Sequence, residues 1–130
     1  IKGAPTGTYR DGGLIDYHLD IPYNLKDDQV VLYPHFSEKV VPGWLDKSLK
    51  WRKPSQLNMQ NVLLVAPSKH YVDRLPNNKI PDRKDFWLYK DNDKQRFKDW
   101  KSVVESGRIL AEELNEVISS GKIKQLVKPL

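Results

Sequence analysis

Two short runs of branched and leucine side chains, each closed by a proline, constrain this chain most. They are Gln29 to Tyr33 before Pro34, and Asn61-Val62-Leu63-Leu64-Val65-Ala66 before Pro67. Apolar residues without alternation predict strands buried on both faces, as in a sheet covered by helices. Proline cannot donate to a β-ladder, so it marks where each strand stops. The expected cover is the C-terminal third, where Phe97, Trp100, Val103, Val104, Leu110, Ala111, Leu114, Val117 and Ile118 recur at helical spacing. Asp91 or Asp93 suits its N-cap and Gly121 its C-cap. Gly107 falls on the same face, where a missing side chain would admit a close neighbour. The helix lacks heptad regularity and is expected to pack on the sheet rather than in a coiled coil. The chain therefore reads as α/β, with a short sheet and a long C-terminal helix.

Around these elements the pattern is looser. Residues 1–13 are rich in Gly, Pro and Thr and read as loop, and the absence of an initiator Met suggests a piece of a longer protein. From Leu14 to Ile21 the side chains alternate, with Ile15, Tyr17, Leu19 and Ile21 on one face and Asp16, His18 and Asp20 on the other. That pattern predicts a half-exposed strand ending at Pro22. Pro42 to Pro54 predicts a helix of under three turns, with Trp44, Leu45, Ser48, Leu49 and Trp51 to one side and Lys47, Lys50 and Lys53 on another. Ser68 to Lys84, holding Pro76, Pro81 and Asn77-Asn78, reads as a long loop of the kind that is often functional.

Composition excludes several classes. Hydrophobic content of 38% beside 30% charged residues fits a globular chain rather than a disordered one. No apolar run approaches the roughly 20 residues that span a bilayer, so a cytoplasmic or peripheral location is expected over an integral one. Without cysteine there are no disulfides or thiolate metal ligands. Lys plus Arg exceed Asp plus Glu by 22 to 17, a net +5 that favours anionic partners. The basic residues are spread out, with modest clusters at 47–53 and 122–128, and no helix-turn-helix, zinc-finger or RNP pattern accompanies them. Nucleic acid is accordingly not expected as a partner.

The residues that carry chemistry centre on Asp11. Gly12 and Gly13 allow positive φ or a close approach of another segment. Asp11 then reads either as part of an ordinary D-G hairpin turn or as an acid presented, with its orientation fixed, to a partner side chain. Taken with three later blocks, the second reading acquires a context. Asp11-Gly12-Gly13-Leu14-Ile15-Asp16, Pro42-Gly43-Trp44-Leu45-Asp46-Lys47, Asn61 to Ser68 and Lys79-Ile80-Pro81-Asp82-Arg83-Lys84-Asp85-Phe86, in that order, resemble the C-terminal part of the catalytic domain of bacterial patatin-like acyl hydrolases and phospholipases. The resemblance spans about residues 9–115.

It implies a three-layer α/β sandwich, with the catalytic portion reaching about residue 90, a helical extension over about 91–121 and a basic tail. It also implies a Ser–Asp dyad in which Asp11 is the base, supported by Gly12 and Gly13, with no metal or organic cofactor. The family's nucleophile sits in a G-x-S-x-G elbow and its oxyanion donors in a glycine-rich loop. Neither pattern occurs in these residues. The implied partners are the N-terminal remainder of the same protein and an acyl lipid substrate, and the chain alone is expected to be inactive.

Other candidates compete. Asp16, His18 and Asp20 could hold a divalent metal, but on one strand they would spread over about 13 Å. A solvated strand face is the simpler reading. His35 and His70 stand alone in sequence, and a Ser–Asp dyad needs neither. Trp44, Lys47, Lys50 and Trp51 combine aromatics with cations, as at a lipid–water interface; packing of the two indoles is the alternative. The C-terminal helix offers a different class of function, a non-catalytic module that docks a protein or a membrane surface.

Overall fold

The computed structural model describes residues 2–130; Ile1, the first residue of the expected N-terminal loop, lies outside them. The chain divides into two compact units, one through Ala66 and the other Pro67–Leu130. It is a mixed α/β protein, with helices and a small parallel sheet.

In the first unit, strands β1 (Val31–Pro34) and β2 (Val62–Val65) pair in parallel, with Val31 opposite Val62 and Pro34 opposite Val65. The pairing continues past both ends, through Val31 N–H to Asn61 C=O at 2.9 Å and His35 N–H to Val65 C=O at 2.8 Å. The two apolar runs are thus strands, but not doubly buried ones. β1 alternates half-buried and exposed residues, and β2 is half-buried throughout. The crossover between them carries a 3-10 turn, Trp44–Ser48, and the single-turn helix α1, Gln56–Met59. The expected helix over Pro42 to Pro54 is limited to that turn, because Leu49 is already extended.

The expected strand over Leu14 to Ile21 does not form. Gly12–Leu14 is a 3-10 turn, Ile15 continues in the right-handed region, and Leu19 takes φ 53°. Its faces are inverted as well: Ile15 is 87% exposed and Leu19 and Ile21 also face solvent, whereas His18 is 7% exposed. The polar residues bring hydrogen bonds that compete with a ladder. Asp16 Oδ1 accepts Asp20 N–H at 2.8 Å. Asp20 in turn receives Ser55 N–H at 2.9 Å and Asn58 Nδ2 at 2.9 Å, tying the segment to α1.

In the second unit, the expected loop from Ser68 to Lys84 holds helix α2, Lys69–Val72, and a 3-10 turn at Pro76–Asn78. Ser68 caps α2 by accepting Tyr71 N–H at 3.2 Å. Asn77 and Asn78 take φ of 57° and 52°, which asparagine tolerates better than most residues. Helix α3, Asp85–Tyr89, leads into α4, Asp93–Ser119, whose N-cap is Asn92 accepting Gln95 N–H at 3.2 Å. Neither Asp91 nor Asp93 is the cap. Gly121, just past the end, has φ 71° as expected of a C-terminal glycine. The final helix is α5, Ile123–Leu126.

The long helix buries less than its periodicity suggests. Trp100, Val103, Leu110, Leu114 and Val117 are half-buried, while Phe97, Val104, Ala111 and Ile118 are exposed. A Cβ on Gly107 would meet nothing within 4 Å, so no neighbour uses the space expected there. Within its unit the helix packs on α3, and Ser106 Oγ bonds the hydroxyl of buried Tyr71 at 3.0 Å. Polar anchors hold the N-terminal end. Asp85, 2% exposed, accepts Trp100 Nε1–H at 2.8 Å, Asp82 N–H at 3.2 Å and the Lys79 ammonium. Buried Arg96 pairs with Asp93 at 2.7 Å, and its guanidinium lies 4.2 Å from the Phe86 ring centroid. Among the described residues no helix is long and apolar enough to cross a membrane.

Candidate functional site

Asp11 stands at the foot of the Gly12–Leu14 turn with its side chain in solvent. Its Oδ1 accepts Gly13 N–H at 2.7 Å, and its backbone carbonyl accepts Leu14 N–H at 3.1 Å. The carboxylate is therefore fixed by the turn it begins. Neither Gly12 nor Gly13 has positive φ, so the expected backbone freedom is not what glycine contributes. Room is. A Cβ on Gly13 would lie 2.9 Å from Asp11 Oδ1, whereas one on Gly12 would meet nothing within 4 Å. Gly13→Ala is expected to displace the carboxylate and lose a cap worth about 0.5–1 kcal/mol, with Gly12→Ala close to neutral. Thermal unfolding of the two variants measures the difference.

The turn is seated on the Trp44–Ser48 turn. Gly43 is buried between them: a Cβ there would stand 3.2 Å from Leu14 C=O and 3.4 Å from Ile15 C=O. Tyr17 N–H donates to Pro42 C=O at 2.7 Å. The Asp11 and Pro42 blocks, far apart in sequence, thus form one platform. Tyr17 meets Trp44 edge-on with centroids 5.5 Å apart, and the Lys47 ammonium lies 4.0 Å from the first ring centroid and 3.3 Å from the second. Lys47 and Trp44 are brought together with the Asp11 turn. Lys50 and Trp51 are exposed farther along the same segment.

Behind the platform lies a histidine pair that sequence spacing does not reveal. His18 stacks on Tyr17 at 4.4 Å and meets His35 edge-on, also at 4.4 Å. Val41 N–H donates to His18 Nδ1 at 2.9 Å, which places the ring proton of neutral His18 on Nε2. His35 Nδ1 faces the Ser37 carbonyl at 2.6 Å. Both Nε2 atoms are buried, and among the described residues neither has a hydrogen-bond partner. Burial, then the neighbouring His35, lower the His18 pKa below its ordinary value. A lowered histidine pKa means that the unfolded chain binds the extra proton. Stability from this group is thus complete above about pH 6.5 and lost as pH falls through the folded value. Stability of the first unit is expected to drop below pH 6.5, and His18→Gln is expected to flatten that dependence in urea titrations across pH.

The other candidates go elsewhere. Asp16, His18 and Asp20 are each committed to a backbone N–H, and among the described residues no three His, Cys, Asp or Glu side chains are grouped to hold a metal. His35 is not isolated, since it sits against His18, while His70 is exposed on α2. Among the described residues the Asp11 side chain accepts from Gly13 N–H alone, which leaves its carboxylate oriented and exposed to solvent. No family model, curated protein or solved structure matches the chain.

Proposed function

We propose that this chain is the aspartate-bearing part of a patatin-like Ser–Asp acyl hydrolase acting on lipid or phospholipid esters. The observation that carries the reading is an exposed carboxylate whose direction is fixed by its own turn. In this reading Asp11 takes the hydroxyl proton as a serine attacks the ester carbonyl, and the alcohol leaves with a proton. Water then attacks the acyl-serine, Asp11 accepts a proton from it, and the free acid departs as the serine is reprotonated. Backbone N–H donors for the oxyanion come, like the serine, from the remainder of the protein. No metal or organic cofactor enters these steps.

The surface around the turn supports an incomplete domain. Parallel strands are ordinarily covered on both faces, yet Val30 and Leu32 are exposed, as are Tyr9, Leu14 and Ile15. In the proposal β1 and β2 belong to a larger three-layer α/β sandwich whose other strands and helices cover these residues. The test is ester hydrolysis by the protein that joins this chain to its serine-bearing segment, with and without Asp11→Asn.

A second reading is favoured by one feature of α4. Contrary to the expectation that this helix lacks heptad regularity, Phe97, Val104, Ala111 and Ile118 stand seven residues apart and form an exposed apolar stripe. Such a stripe suits a non-catalytic docking module. Under that reading Asp11→Asn leaves every measured activity unchanged.

A further inference from the structure

The segment from Trp44 to Lys53 carries a surface that ester chemistry at Asp11 does not use. Three of its four apolar side chains face solvent, with Leu45 and Trp51 72% and 74% exposed and Trp44 41% exposed, while Leu49 is half-buried. Lys47, Lys50, Arg52 and Lys53 lie among them, against the single carboxylate of Asp46. Asp46 is already engaged, accepting Gly43 N–H at 3.1 Å and pairing with Arg52 at 3.4 Å. Three lysine charges are left over. The Lys47 ammonium rests on the Trp44 and Tyr17 rings, which fixes how the indole is presented.

Exposed indoles beside ammonium groups match a lipid–water interface, where rings settle at headgroup depth and cations meet phosphate. A duplex would use the lysines but gain nothing from Leu45, and a purely apolar partner would gain nothing from the lysines. We infer that this patch binds the surface of an anionic phospholipid bilayer. The inference does not require Asp11 to be a base. Where both hold, Gly43 couples the patch to the Asp11 turn and sets that turn beside the lipid.

The experiment is sedimentation of this chain with vesicles of phosphatidylglycerol and phosphatidylcholine in equal parts, and of phosphatidylcholine alone. Binding to the anionic vesicles is expected, weakening as salt rises. Lys50→Gln with Lys53→Gln should lower the affinity roughly 20- to 30-fold, and Trp51→Ala should lower it severalfold. All three residues are exposed, and circular dichroism checks that the variants fold. Neutralising Lys122, Lys124 and Lys128 in the basic tail should leave the affinity within about twofold of wild type if the tail lies outside the interface. Asp11→Asn should bind as wild type, so failure of the hydrolase reading leaves this result standing. Equal binding to both vesicle types overturns the inference, as does loss of binding with the tail variant instead of the patch variants. Tighter binding to a DNA duplex than to anionic vesicles at the same salt also overturns it.

Discussion

Asp85→Ala is expected to cost the second unit about 3 kcal/mol and to lower its thermal midpoint by roughly 12–24 °C. The side chain is 3% exposed, and it gathers three donors: Lys79, Trp100 Nε1 and Asp82 N–H. Alanine leaves the indole and the backbone N–H without their acceptor in a part-buried site, which is the costly side of a broken hydrogen bond. It also strips Lys79 of its nearer carboxylate. Lys79→Met is expected to cost less, since Asp85 keeps its bonds from Trp100 and Asp82. A domain whose total stability is about 5–15 kcal/mol cannot lose 3 unnoticed. A midpoint shift below about 4 °C for Asp85→Ala, near 1 kcal/mol, would show the network to be incidental.

The same network sets the pH limits of that unit. Burial pushes the Asp85 carboxyl up, but its hydrogen bonds from Lys79, Trp100 and Asp82 outweigh burial and hold it below the usual range. A lowered carboxylate pKa gives stability that is present above about pH 3.9 and lost as pH falls through the folded value. For Lys79, burial lowers the pKa, but its bonds to Asp85 and Asp82 raise it on balance. That contribution is present below about pH 10.4 and fades as pH rises through the folded value. Asp85→Ala should therefore remove the acid limb and the Asp85-dependent part of the alkaline limb together.

How much of this was legible depended on whether local pattern or distant partners decided each element. The runs at 29–33 and 61–66 predict strands, and both are strands, because continuous branched residues leave few alternatives. The long helix over 93–119 is equally readable from its period. The segment from Leu14 to Ile21 misleads because its alternation is real but its polar residues have partners far off in sequence. His18 reaches Val41, and Asp20 reaches Ser55 and Asn58. No local rule anticipates a polar face turned inward. The same holds for Asp85 and Arg96, whose burial rests on Trp100, Lys79, Asp93 and Phe86. At the site, Asp11 was legible as an acid on a glycine turn, and the room that Gly13 makes for it explains the second glycine. The histidine pair was not legible, since His18 and His35 are distant in sequence and meet among Tyr17, Tyr33 and Phe36, with His18 held by hydrogen bonds from Val41 N–H and the Tyr33 hydroxyl.

Under the proposed hydrolase reading, loss of ester hydrolysis on replacing Asp11 is the largest functional effect expected. Asparagine keeps an oxygen for the Gly13 N–H, so the turn should survive, but it cannot accept the hydroxyl proton. The lost step is general base catalysis, worth roughly 10²- to 10⁴-fold. Asp16→Asn makes a matched control, because Asp16 serves as an acceptor for Asp20 N–H and asparagine still provides one. Gly13→Ala should fall between them, through displacement of the carboxylate rather than its removal.

The most direct measurement is the turnover of a p-nitrophenyl acyl ester by the protein that joins this chain to the serine-bearing segment the proposal requires, comparing wild type, Asp11→Asn and Asp16→Asn. The account predicts a fall of roughly 10²-fold or more for Asp11→Asn alone, with thermal midpoints unchanged. Turnover by Asp11→Asn within about twofold of wild type, well short of the loss of a general base, would contradict it.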